Sequence, residues 1–260
     1  MNPPPIRYIE RDGGRLAYQV VGSGPSDVVW LLECMNHLDL LLTDPHLNHL
    51  FERASAYSQI LLVQRRGFGS SDPIDYVPSL EQQAEDILAL MDEVGMSQAT
   101  LAENLGTSPV ALLIAATHPS RVRSVLVLNP LVQGSRTTKP VLGWTREEID
   151  RFGQDYVAAA AHWGDADALP LWESALESGF NRRLWSMLER CSASRDAACA
   201  YLEGMLTVDD RPSGHHPGTR AGLANTNGRL SGECRSRRRV CRAARHVFRL
   251  ADARTGLVAG

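Results

Sequence analysis

Lysine is almost missing from this 260-residue chain: Lys139 stands alone among 27 basic residues, and the rest are arginine. Long apolar runs are missing too. None approaches the ~20 residues needed to cross a bilayer, so no membrane span is expected. The opening MNPPPIRYIE has no cationic stretch followed by an apolar one, so no secretory leader is read there and the cytoplasm is the expected location. The five cysteines (Cys34, Cys191, Cys199, Cys234, Cys241) form no C-x-x-C pair and are odd in number. Reduced structural thiols are expected rather than a disulfide framework or a zinc site. There is no G-x-x-x-x-G-K-[ST] phosphate loop, no dinucleotide fingerprint and no metal-ligand cluster, so neither a cofactor nor a metal is expected. A net charge of −3 gives no reason to expect nucleic acid as a partner.

The charge is unevenly spread. Residues 1–210 carry 16 basic and 28 acidic groups, a balance of −12, whereas residues 211–260 carry 11 arginines against Glu233 and Asp252, a balance of +9. Three readings of this Arg-rich tail stand. It is a shifted reading frame of a GC-rich gene, a basic functional arm, or a divergent but folded end. The first is the leading one, and on it the tail is poorly ordered and the last strands of a sheet are lost, leaving an apolar edge.

What is present is a regular alternation. RYIE and RLAYQVV flank Asp12-Gly13-Gly14 and read as a β-hairpin. DVVWLL and SQILLVQ are continuous apolar runs suited to buried parallel strands, with a helix from PHLNHLFERASAY between them. Ser79 and Gln82 form a capping box ahead of Leu80, Ala84, Ile87, Met91 and Val94 at helical spacing, and Gly95 ends that helix. ATLA, a helix from about Thr107 to His118, and RVRSVLVLN continue the series. Such alternation predicts an α/β fold, a mostly parallel sheet flanked by helices. From Ser135 to Asp210 strands give way to helical spacing around Trp163, Trp172 and Trp185, opened by a second box at Thr145 and Glu148. The expected organisation is a core over 1–134, a helical cap over 135–210 and the tail over 211–260.

LLVQRRGFGSSDP, with Arg66, Gly67, Gly69, Ser71 and Asp72, resembles the loop after the fourth strand in the α/β-hydrolase superfamily. AYQVVGSGP, NHLDLLLTDP, ALLIAATHPSRV and LWSMLERCSASRDAACAYLEGMLTVDDR resemble hydrolase-like domains associated with bacterial (actinobacterial-type) class III adenylate cyclases. The resemblance covers about residues 6–210. It implies an α/β-hydrolase fold, a Ser-His-acid triad and a carboxylic-ester substrate, and it makes an adenylate cyclase a partner by analogy. With the tail read as a shifted frame, the C-terminal end of that sheet is incomplete.

The residues at the reacting positions depart from that pattern. The family's nucleophile sits at the centre of G-x-S-x-G, on a tight strand-to-helix turn. Here the matching stretch is Ala102-Glu103-Asn104-Leu105-Gly106, which puts Asn104 or, in the ungapped alignment, Leu105 at the nucleophile position. Neither side chain can attack a carbonyl. Ser108 is the nearest surrogate hydroxyl. The oxyanion glycine after the third strand is replaced by Glu33, with Cys34 beside it as a weaker surrogate at the mouth of a pocket. A carboxylate there opposes a developing oxyanion. His37 matches a histidine of the look-alikes, and with Asn104 and Leu105 it is a candidate for lining a ligand pocket. Asn227-Gly228 takes the place of the acid's G-D turn, and His215, His216 and His246 fall outside any matching context for the base. The expectation is an α/β-hydrolase-fold protein with a degenerate triad and no hydrolase activity, acting as a small-molecule-binding or regulatory module, with an apolar small molecule as the ligand. The alternative is a residual serine esterase.

Overall fold

The computed structural model describes residues 3–32, 34, 36–105, 108–130, 146–167 and 182–207. The strands are β1 (Arg7–Arg11), β2 (Gly14–Val21), β3 (Ser26–Leu31), β4 (Ser58–Val63), β5 (Ala99–Leu105) and β6 (Val122–Pro130). They form one six-stranded sheet in the order β1-β2-β4-β3-β5-β6. The hairpin pairs antiparallel and β2 joins β4 antiparallel, while β4, β3, β5 and β6 run parallel. The connecting helices are α1 (Leu38–Leu41), α2 (Pro45–Ser55), α3 (Leu80–Glu93) and α4 (Ser108–Thr117), followed by α5 (Arg146–Ala160), α6 (Arg182–Ser192) and α7 (Arg195–Thr207).

The central strands read as unbroken apolar runs because both their faces are covered. On one face Leu16, Val29, Leu31, Leu61 and Val63 meet Ile87, Met91 and Ile114 of α3 and α4. On the other, Ala17, Ile60 and Leu62 meet Leu38, Leu41 and Phe51 of α1 and α2. Each fully buried leucine or isoleucine contributes about 1.5–3 kcal/mol by leaving water, and the period-2 alternation shares these side chains between the two layers.

Helix starts follow local chemistry. Asp44 caps α2 by accepting from His46 N and Leu47 N, with Pro45 in the first turn, where its missing N–H costs nothing. Ser79 caps α3 by accepting from Gln82 N at 3.1 Å. The reciprocal half of the expected capping box, Gln82 Oε1 accepting from Ser79 N, is absent, and Gln82 Nε2 donates to Tyr76 Oη. Gly95, at φ +75°, follows the end of α3 in a conformation that favours glycine. The second expected box, at Thr145, lies outside the described residues, as do the helix expected around Trp172 and the whole tail.

The loop after β4 ties these layers together. Buried Arg66 makes a two-pronged pair with Asp86 of α3, Nε to Oδ2 at 2.6 Å and Nη2 to Oδ1 at 2.8 Å. Donation to the Asp86 carboxylate is the main reason the Arg66 pKa is raised. Ser71 Oγ donates to Gln64 O and accepts from Ala17 N, which locks the loop to the hairpin.

Candidate functional site

β3, β4 and β5 end on the same side of the sheet because they are parallel, so the loops that follow them form one group. Gln64, at the end of β4, joins two of these loops. Its Nε2 donates to Asn36 O at 2.6 Å, and its Oε1 accepts from Ser70 N at 3.0 Å. Gly69 (φ +55°) is what permits this, since a Cβ there would stand 1.8 Å from Gln64 Nε2.

The helical group α5–α7 sits against the same loops. Gly69 N donates to Ser192 O at 2.5 Å. Arg65 donates from both terminal nitrogens to Tyr201 Oη, and Phe68 meets Tyr201 edge-on, with centroids 5.3 Å apart. Cys34, Phe68, Ala160, Ala166, Trp185 and Leu202 form one buried cluster. Cys34 is 1% exposed, so it is packed beneath the helical group rather than set at the mouth of a pocket. A thiol in that setting is a structural residue, out of a substrate's reach. Glu33, its neighbour, lies outside the described residues.

β5 continues through Leu105, so Glu103, Asn104 and Leu105, past the expected strand ATLA, are strand where a turn was expected. Asn104 pairs with Leu128 and Leu105 with Pro130, with a register irregularity between the two pairs. Glu103 is fully buried; in the ungapped alignment, with Leu105 at the nucleophile position, it stands where the family pattern has the first glycine of the turn. Gly106 and Thr107 lie outside the described residues. Ser108 is the first residue of α4.

His37 is half-buried and makes two side-chain contacts. Its Nδ1 accepts from Asp39 N at 3.2 Å, capping α1, and its Nε2 lies 3.2 Å from Ser70 Oγ. This serine–histidine pair was not visible in the sequence, where 33 residues separate the two and nothing marks Ser70. The pair has the spacing of a nucleophile and base, but the protons are wrong. Accepting at Nδ1 leaves the single proton of neutral imidazole on Nε2, which therefore donates to Ser70 Oγ and cannot take a proton from it. Burial pushes the His37 pKa below its ordinary 6.5, partly opposed by the Asp39 carboxylate.

The structure brings Cys34 and His37 together on the loop after β3, and His37 with Ser70. It places Asn104, Leu105 and Ser108 at the adjoining end of β5 and start of α4. A small cavity is lined by Leu16, Leu31, Val63, Gln83, Ile87 and Val110, beside the Arg66–Asp86 pair. It has room for about one water molecule, and none of the expected pocket residues lines it. Among the described residues no group of three or more His, Cys, Asp or Glu is placed to hold a metal, and no helix is long and apolar enough to cross a membrane.

No protein-family model matches the chain. Solved structures do. A hydrolase from Pseudomonas aeruginosa superposes with a TM-score of 0.53 at 18% identity, covering 78% of this chain and 73% of that one. An N-formylmaleamic acid deformylase from Pseudomonas putida S16 gives 0.54 at 18%, covering 79% and 75%. An α/β-hydrolase enzyme from a Medee basin deep-sea metagenome gives 0.55 at 17%, covering 78% and 73%. At such identities the likeness concerns architecture. The chain has the α/β-hydrolase fold: a mostly parallel sheet with helices on both faces and a further helical group over the ends of its parallel strands.

Proposed function

We propose that this chain is a hydrolase-fold protein that binds a small apolar molecule and does not hydrolyse it. The observation that carries the reading is the end of β5. Where the fold puts a nucleophile, the strand closes with Glu103-Asn104-Leu105, and none of these side chains can form an acyl intermediate. His37, the histidine nearest those strand ends by sequence pattern, is committed as a donor to Ser70 and as the cap of α1. In a triad enzyme, loss of the serine or histidine alone costs up to ~10⁶ in rate. The seam between the β-strand loops and α5–α7 is packed with buried Phe68, Trp185 and Leu202, so an apolar ligand entering there would have to part these side chains.

Fluorophosphonate labelling of the purified protein tests this reading, and no heat-sensitive labelling of serine is expected. Stoichiometric labelling at any serine would overturn it. Ser108 opens α4 beside the end of β5, which is the observation favouring a residual esterase. That alternative requires turnover of short aryl esters that disappears in Ser108→Ala. The proposal extends to the cytoplasm as the site of action and to an adenylate cyclase as the partner, the latter resting on the sequence resemblance over residues 6–210. Co-purification with a class III cyclase catalytic domain tests the partner.

A further inference from the structure

His37 holds two segments by two nitrogens in opposite roles. Nδ1 accepts the Asp39 N–H and Nε2–H donates to Ser70 Oγ, so one ring ties the first turn of α1 to the loop after β4. Adding a proton leaves the Ser70 contact intact but converts Nδ1 into a donor. That donor would face the Asp39 N–H, itself a donor, and the cap bond cannot survive.

We propose that His37 is a pH-operated latch: neutral, it clamps α1 to the β4 loop; protonated, it releases the first turn of α1 and loosens the loop that carries Cys34 beneath α6 and α7. The packing makes the release consequential. Leu38 and Leu41 of α1 are buried in the sheet core, and Cys34, three residues before the ring, is buried against Trp185 and Leu202. A four-residue helix has almost no stability of its own, so its cap and these anchors decide whether it stays formed.

The charges around the ring fit a switch that operates below neutrality. Asp39, on the same element, is the charged group acting on it. The β4 loop presents the Ser70 hydroxyl, and of that loop's charges Arg65 is engaged with Tyr201, Arg66 with Asp86 and Asp72 with Arg15. Burial favours the neutral ring, so its contribution to stability is complete above 6.5 and is lost as pH falls through the lower folded-state value. The latch does not depend on whether the chain hydrolyses esters.

Amide exchange of the full chain, corrected for intrinsic rates, tests it at Asp39, Leu40 and Leu41, whose N–H groups all bond to His37. Between about pH 7.5 and about pH 5, protection at these amides should fall roughly fivefold, with β3 and β4 unchanged. His37→Asn keeps a capping acceptor that does not titrate, so its protection should stay level. A flat wild-type profile, the same fall in the variant, or an equal loss in β3 and β4 would each overturn the latch. Should the variant not fold, imidazole nitrogen NMR of the wild type decides. The Nε2–H tautomer at neutral pH supports the latch and the Nδ1–H tautomer overturns it.

Discussion

The guanidinium carbon of Arg65 lies 4.5 Å from the centroid of the Tyr201 ring, and both terminal nitrogens of the same arginine donate to the Tyr201 hydroxyl, at 2.6 and 2.8 Å. One tyrosine thus joins the β4 loop to α7, 136 residues further along the chain. Tyr201→Phe keeps the ring and removes the acceptor, and should cost about 1 kcal/mol. Tyr201→Ala also removes the ring that meets Phe68 and Arg65, and should cost about 2 kcal/mol or more. Urea unfolding followed by tryptophan fluorescence measures both, and equal losses would assign the whole contact to the hydroxyl.

Glu189 organises the helical group from within. Its buried carboxylate accepts from Gly164 N at 2.8 Å, Ala166 N at 3.0 Å and Trp185 Nε1 at 2.8 Å. This holds a turn in which Ala166 adopts φ 62°, a conformation costly for any residue with a Cβ. Glu189→Gln preserves the volume but turns an acceptor into a donor, leaving one buried N–H opposed. A loss of about 2–3 kcal/mol is expected, read as a lower denaturation midpoint.

Gly69→Ala should destabilise by roughly 2 kcal/mol or more, from the left-handed backbone and the displaced Gln64 amide. Amide exchange at Ser70, whose N–H bonds to Gln64, should speed up well before the core strands respond. Unchanged exchange at Ser70 would mean that Gln64 can move aside without loss.

Asp72 is held by Arg15, whose side chain and backbone N–H both donate to it, and these bonds lower its pKa below 3.8. A depressed folded-state value means the stabilisation is complete above the unfolded value and disappears as pH falls through the lower one. Carbon-detected titration should therefore find Asp72 ionised below the ordinary aspartate range in the wild type. In Arg15→Gln its pKa should return toward 3.8.

The layers were legible because burial on both faces of a sheet imposes unbroken apolar runs, as in DVVWLL and SQILLVQ, and because α3 carries its own cap and stop at Ser79 and Gly95. Local pattern failed where a side chain had a choice of partners. Gln82 has the right spacing for a capping box, yet its amide nitrogen donates to Tyr76 Oη and its oxygen does not reach back to Ser79 N. The stretch around Glu103 and Asn104 looks like a turn by homology of spacing, yet pairing with β6 draws it into strand as far as Leu105. The position of Cys34 just after β3 suggests a pocket mouth, but α6 and α7 cover it.

The sequence by itself determined the α/β alternation, the two apolar faces and the absence of a nucleophilic side chain from Asn104 and Leu105, because propensity, periodicity and functional-group chemistry are local properties. Only the tertiary structure decided that Ser70 is the partner of His37, that His37 Nδ1 accepts a backbone N–H and that Arg65 reaches Tyr201. Those roles depend on which groups meet across 33 and 136 residues of chain, and on where the one proton of an imidazole must sit once its other nitrogen accepts a bond.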